Sequence, residues 1–349
     1  MDFTSDYEPS SASSGFTSIE TATKYHIYEN GRRYQAFVEG RYPLPNDEGE
    51  LNREEIKHSM AKVVTGSSIG LAPVGDSPQK IIDLGTGSGV WAIEAADRYP
   101  SAHVIGIDLS PIQPYFAPPN VEWKIDDLEA DWPPAYRNSD YIHARCFITT
   151  IRNPTKLISS VYEHLRPGGW VEFEDITPIP VFEPTTSPPS PSSLLLTRFF
   201  SLINTDFAHR YGWSPSLPSH LPTALSSAGL VNVGVRRERL PLGPRPRAKS
   251  DAKTREVALY MQLLVDGLVA GVLAKHRELD LTGEEAEVLA KGVEAAVRDP
   301  GVSSASQTGF LSSPLHSCLG TGISHDFNII ILSITILIFI VFVITIIAS

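Results

Sequence analysis

The stretch Ile81-Ile82-Asp83-Leu84-Gly85-Thr86-Gly87-Ser88-Gly89-Val90-Trp91 constrains this chain more than any other. An apolar run that ends in alternating glycines and reopens as a helix is a strand, a tight turn and a helix start in succession. The glycines let the backbone come close to a ligand, and the free N–H groups at the helix start point back at it. Such a unit belongs to an open sheet whose ligands sit beyond the carboxyl ends of the strands.

The pattern continues as an alternation. Apolar runs over residues 80–84, 103–108, 121–125, 141–146 and 170–173 read as strands, with helices over 90–99 and 155–165. The spacing predicts an α/β fold with a Rossmann-like, doubly wound, mostly parallel sheet. A sixth strand is expected over 230–237, after a Pro- and Ser-rich helical insertion at 177–222 that reads as a lid. Carboxylates recur at the strand ends. A dinucleotide fingerprint wants Gly or Ala where this chain has Val90, and Asp83 at the loop's mouth would repel a pyrophosphate, which argues against a nicotinamide oxidoreductase. A carboxylate there suits a cationic ligand such as S-adenosylmethionine. Asp108 ends the second strand, where it can take both ribose hydroxyls, and Asp126-Asp127 follows the third, where an adenine amino group would lie.

Composition narrows the partners. With 29 Lys+Arg against 40 Asp+Glu the net charge is −11, so no general basic field exists for a nucleic-acid backbone, and no direct nucleic-acid binding is expected. The two cysteines, Cys146 and Cys318, lie far apart in no metal or redox spacing; neither a disulfide framework nor a metal site is expected.

Outside the sheet, residues 1–20 are Ser-rich and read as a disordered tail, and residues 21–79 as a helical N-terminal extension with helices near Tyr25–Tyr34 and over 51–64. The ligand-binding domain spans 80–300. It is expected to close with a helix over 254–275 and another after the capping box Thr282-Gly283-Glu284-Glu285. Residues 301–326 read as a linker and 327–348 as a single transmembrane helix. Twenty residues from Ile329 to Ala348 are interrupted only by Ser333, Thr335 and Thr345, and at 1.5 Å per residue they would span about 30 Å, one hydrocarbon core. That implies a tail anchor with the domain facing the cytosol. The isoleucine skew also fits mistranslated A/T-rich sequence, in which case a cytoplasmic or nuclear protein is expected.

Asp83-x-Gly85-x-Gly87-x-Gly89, Asp108, Asp126-Asp127 and Arg166-Pro167-Gly168-Gly169-Trp170 together resemble a class I S-adenosylmethionine-dependent methyltransferase. Tyr28-Glu29-Asn30-Gly31-Arg32-Arg33-Tyr34, Ile125-Asp126-Asp127 and Ile142-His143-Ala144-Arg145 are similar, more narrowly, to the fungal LaeA-like methyltransferases. The resemblance covers about residues 25–243. It implies S-adenosylmethionine as cofactor and a small-molecule or protein methyl acceptor, within secondary metabolism or its regulation. It further implies a cofactor site made of Asp83, Gly85, Thr86, Gly87, Gly89, Asp108, Leu109, Asp126, Asp127, Leu128 and Arg145, with the Tyr28–Tyr34 motif closing over it. No catalytic base is identified: His143, Arg145, Glu174 and Asp175 lie near the crevice, and His209, Tyr211 and Trp213 could line an acceptor pocket. The chain departs from the family in lacking a recognisable antiparallel seventh strand, so a non-catalytic binding or regulatory protein stays open as the alternative.

Overall fold

The computed structural model describes residues 26–66, 69–177, 190–242, 251–299, 328–335 and 339–347, the last two segments as backbone. The expected tail at 1–20 and linker at 301–326 lie outside the described residues.

The described chain opens with β1 (His26–Glu29) and β2 (Arg32–Gln35), an antiparallel hairpin in which Glu29 pairs with Arg32. This corrects the expected helix near Tyr25–Tyr34. Asn30 and Gly31 both take positive φ, 49° and 74°, and an Asn-Gly pair of that geometry is the tight turn whose twist matches two strands. Helix α1 (Glu48–Thr65) follows, capped by the Asp47 carboxylate on the Glu50 N–H and ended by Gly66 in the left-handed region.

The sheet begins with β3 (Lys80–Leu84), then α2 (Val90–Arg98), β4 (His103–Asp108), β5 (Val121–Ile125), β6 (Ser139–Arg145), α3 (Pro154–His164) and β7 (Leu165–Thr177). These five strands lie side by side in the order β5-β4-β3-β6-β7, all parallel. The order reverses between β3 and β6, and in an open sheet that switch point is where a ligand crevice forms.

The inserted segment forms α4 (Pro191–Leu202), which runs through a wide turn at Ile203–Phe207 into α5 (Ala208–Tyr211), and then α6 (Leu217–Ser227). Strand β8 (Gly234–Leu240) starts four residues later than expected. After it come α7 (Ala252–Leu273) and α8 (Gly283–Arg298), the latter with the capping box between Thr282 and Glu285 formed in both directions.

The last elements overturn the membrane-helix expectation. Residues 328–335 and 339–347 form β9 (Asn328–Thr335) and β10 (Phe339–Ile347), paired antiparallel from Ile340 with Thr335 to Ile347 with Asn328. On its other side β10 runs antiparallel to β7, Trp170 to Thr177, and it meets β8 only where Phe339 pairs with Leu240. The missing antiparallel strand is therefore the segment read as a membrane span. The eight isoleucines of β9 and β10 are β-branched residues that favour strand over helix. A strand interior to a covered sheet is apolar at every position, which hydropathy cannot tell from a membrane helix. One described helix, α7, is long and apolar enough to cross a bilayer, and half of its most apolar window is buried inside the protein.

Two apolar layers flank the sheet. Ile82, Ile105 and Ile142 meet α3 and α6 through Leu157, Val161, Leu221 and Leu225, while Ile81, Val104 and Tyr141 meet α2 through Trp91, Ala92 and Ala95. A third core joins α1, α4, α7 and α8 through Met60, Val64, Phe199, Phe200, Met261, Val265, Leu289 and Val293. This helical cap leaves a cleft between itself and the carboxyl ends of the strands.

Candidate functional site

The glycine loop leaves β3 with Gly85, Gly87 and Gly89 all at positive φ. At Gly89 the requirement is double: φ is +80°, and an added Cβ would sit 2.6 Å from the Trp123 ring. The turn is pinned to the next strand by the Thr86 N–H donating to the Ile107 carbonyl at 2.9 Å. Asp108, at the end of β4, accepts from the Gly87 N–H through Oδ2 and from the Ser110 N–H through Oδ1, each at 2.9 Å. Burial pushes its carboxyl up to about 6, against the pull of those two amides.

A cleft of about 900 Å³, counted to its open mouth, lies over this loop. Of the expected cofactor residues, Gly85, Gly87, Asp108, Leu109, Asp126, Asp127, Leu128 and Arg145 line it together. Asp83 and Thr86 instead line a smaller cavity beneath the loop, with Gly85 and Arg145. Gly89 lines neither.

Asp83 is turned inward. It is 3% exposed, its Oδ2 accepts the Thr86 hydroxyl at 2.6 Å, and its Oδ1 lies 2.7 Å from His143 Nδ1. The His143 ring is fully buried and stacks on Trp91 at 3.7 Å between centroids and 4° between planes. Burial raises Asp83 to about 7 and, with Arg145 nearby, holds His143 well below its ordinary value. His143 thus joins the Asp83 carboxyl to the Trp91 ring beneath the loop.

Arg145 donates through Nε to Glu174 at 2.5 Å and through Nη1 to His58 Nδ1 at 2.9 Å. Burial works against its charge, and the Glu174 carboxylate outweighs that and raises its pKa. Asp175 accepts from the backbone N–H groups of Ile148 and Ile176, both at 2.7 Å, which ties the loop after β6 to the end of β7. Trp213 lines a second cavity; Tyr211 packs on Phe207 at 4.7 Å between ring centroids, and His209 is exposed.

The other wall of the cleft comes from residues that no motif marks. Gln35, Arg41, Tyr42, Pro45 and Asn46 cover it from the segment after the hairpin, and Glu50, Glu54 and Lys57 project from α1. The cover is fastened at both ends. The Asn46 side-chain amide donates to Ser110 Oγ at 3.1 Å, Arg41 pairs with Glu129 and Asp127, and Lys275 after α7 binds Glu29 and lies over the Tyr34 ring. The Asn-Gly turn was the signal that could have located the hairpin; nothing local in sequence places the segment behind it. Among the described residues no cluster of His, Cys, Asp and Glu could hold a metal ion.

Comparison with known proteins agrees with this arrangement. A family model described as a methyltransferase domain matches residues 53–232. Methyltransferase pytC of Aspergillus terreus is 33% identical over 290 residues, covering 82% of this chain and 87% of that protein. The secondary metabolism regulator laeA of Aspergillus fumigatus is 32% identical over 253 residues, 71% of this chain and 65% of that protein. The protein-methionine methyltransferase laeA of Emericella nidulans is 33% identical over 240 residues, 68% of this chain and 62% of that protein. A glycine loop bound to the acid of the next strand, under a cleft at the sheet's switch point, therefore comes with sequence kinship over most of the chain, which belongs to the class I S-adenosylmethionine-dependent methyltransferases of LaeA-like type.

Proposed function

We propose that the cleft over the glycine loop holds S-adenosylmethionine and that the protein transfers its methyl group to an acceptor belonging to secondary metabolism, either a metabolite or a protein that regulates it. The observation that carries this reading is Asp108: a carboxylate held by the Gly87 and Ser110 amides among the residues that line the cleft over the glycine loop. It would accept the ribose hydroxyls. Asp126, Asp127, Leu128 and Leu109 would border the adenine, and Gly85 and Gly87 would hold the methionine part. Arg145 supplies positive charge for the cofactor's carboxylate. Asp83, Thr86 and Gly89 act one step back, by holding the loop in shape.

When bound, S-adenosylmethionine supplies an electrophilic methyl group on a sulfonium, so the residues of the chain need only bind, orient and exclude water. The segment from Gln35 to Asn46 and helix α1 do the last of these by covering the cleft. Calorimetric titration of the full chain with S-adenosylhomocysteine tests the reading. Binding with a Kd of about micromolar order is expected, weakened about a hundredfold in Asp108→Ala, a loss of about 2.7 kcal/mol. A folded protein that does not bind the ligand would overturn it.

A further inference from the structure

Beyond the cofactor cleft lies a second chamber of about 710 Å³, counted to its mouth. The two share Tyr42, Lys57, Cys146 and Thr150, so they meet at the end of β6. The chamber's walls are Ile203 and Trp213 from the inserted segment and Met261, Leu264, Val265 and Leu268 from α7. Such a surface favours an apolar ligand, because seating one removes apolar area from water on both sides.

The charged groups lining it are Arg53, Lys57 and Asp175. Arg53 is already paired with Glu50 and Glu54. Lys57 Nζ also reaches Glu54, at 2.6 Å, but Glu54 lines the cofactor side and not the chamber. From the chamber, the group met at the junction is therefore an ammonium, 9% exposed, with a buried carboxyl nearby.

Resting on the cofactor reading above, we propose that this chamber seats the methyl acceptor, and that the acceptor is a small, predominantly apolar molecule bearing an acidic hydroxyl, a phenol or an enol, held at the junction by Lys57 with Asp175 receiving its proton. An amine would arrive protonated beside an ammonium and a sulfonium; an oxygen losing its proton is stabilised by both. In the transfer the oxygen's electron pair forms the new O–CH₃ bond as the carbon–sulfur bond breaks. The pair of that bond stays on the sulfur of S-adenosylhomocysteine, and the hydroxyl proton passes to the Asp175 carboxylate. Burial raises Asp175 to about 7, against the pull of its backbone amides and Lys57, so the carboxyl can take up and release a proton near neutrality. Opposite charges vanish together, which a chamber of low polarity favours.

The test uses the full chain loaded with S-adenosylhomocysteine and titrated with 2-naphthol, followed by calorimetry and by the absorbance of the naphtholate. One naphthol molecule should bind saturably, with its hydroxyl ionising about one pH unit below its free value. Leu268→Trp should fill the chamber and weaken naphthol about tenfold, leaving S-adenosylhomocysteine affinity unchanged. Lys57→Met should abolish the ionisation shift and Lys57→Arg retain it. Leu264→Phe provides a second filling variant should the first not fold. The proposal is overturned by naphthol binding that is absent or indifferent to both filling variants, by a shift that survives Lys57→Met, or by methylation of methionine peptides in a protein that ignores naphthol. Failure to load S-adenosylhomocysteine at all would be visible before any naphthol is added, and would sink the cofactor reading instead.

Discussion

Asp83, one residue before the end of β3, and Asp108, at the end of β4, lie on neighbouring strands in different surroundings. Asp108 was legible in the sequence because its place at a strand end suffices to put it on the cleft floor. Asp83 looked equivalent, but its orientation is decided by His143, sixty positions away in sequence and adjacent in the sheet. No motif contains that pairing. The state of Asp108 has a measurable consequence. Its value of about 6 lies above that of an ordinary aspartate, and on the proposed reading only the ionised carboxylate would accept both ribose hydroxyls. Binding therefore favours the ionised form. Affinity for S-adenosylhomocysteine should be full above about pH 6 and fall below it by about tenfold per pH unit. Calorimetry between about pH 5 and 8 would show this slope in the native protein, and a weak, flat response in Asp108→Asn. A flat native profile would remove Asp108 from the cofactor's contacts.

At the level of elements, the strands β3, β4 and β5 and helix α8 could be read almost residue for residue, since each carries its own local signal, whereas β7 runs over Leu165–Thr177 where only 170–173 reads as an apolar run. The hairpin β1–β2 and the strands β9–β10 could not be read. In the first, aromatic and charged residues mimic a helical pattern over too short a stretch, and the Asn30-Gly31 turn decides the outcome. In the second, an inner strand and a membrane helix share one hydropathy signature. The two readings separate sharply under substitution. Every residue of a strand flanked on both sides contributes its N–H to one neighbour or the other, and Val343 lies in register with Glu174 of β7 and Leu332 of β9. Val343→Pro should cost about 3 kcal/mol or more, read as a lower urea midpoint of the whole domain. Unchanged stability would mean that this segment is no part of the sheet.

Across the whole molecule, the cleft is made by two units that the sequence presents as unrelated. The sheet supplies the loop and its acids; the cap of α1, α4, α7 and α8 supplies the cover and the second chamber. Each cap helix alone shows only an amphipathic pattern, and their assembly depends on contacts between residues far apart in the chain. Because a ligand in the cleft would touch both units, S-adenosylhomocysteine at about a hundred times its Kd should stabilise the fold by about 2.7 kcal/mol. That appears as a higher thermal midpoint, and hydrogen exchange should slow in the segment from Gln35 to Asn46 as well as at the strand ends. Stabilisation without protection of that segment would show that it does not cover the ligand. The place of β10 carries a further consequence, for assembly. Strand β10, which pairs along β7, follows both β7 and β8, and two helices besides, in the order of synthesis. A chain emerging from its N-terminal side would hold the middle of its sheet open until β10 arrives. Closing so long a loop is entropically costly and slow. Folding should thus include a late step, the docking of β9–β10, during which the flank of β7 is open to whatever strand reaches it first.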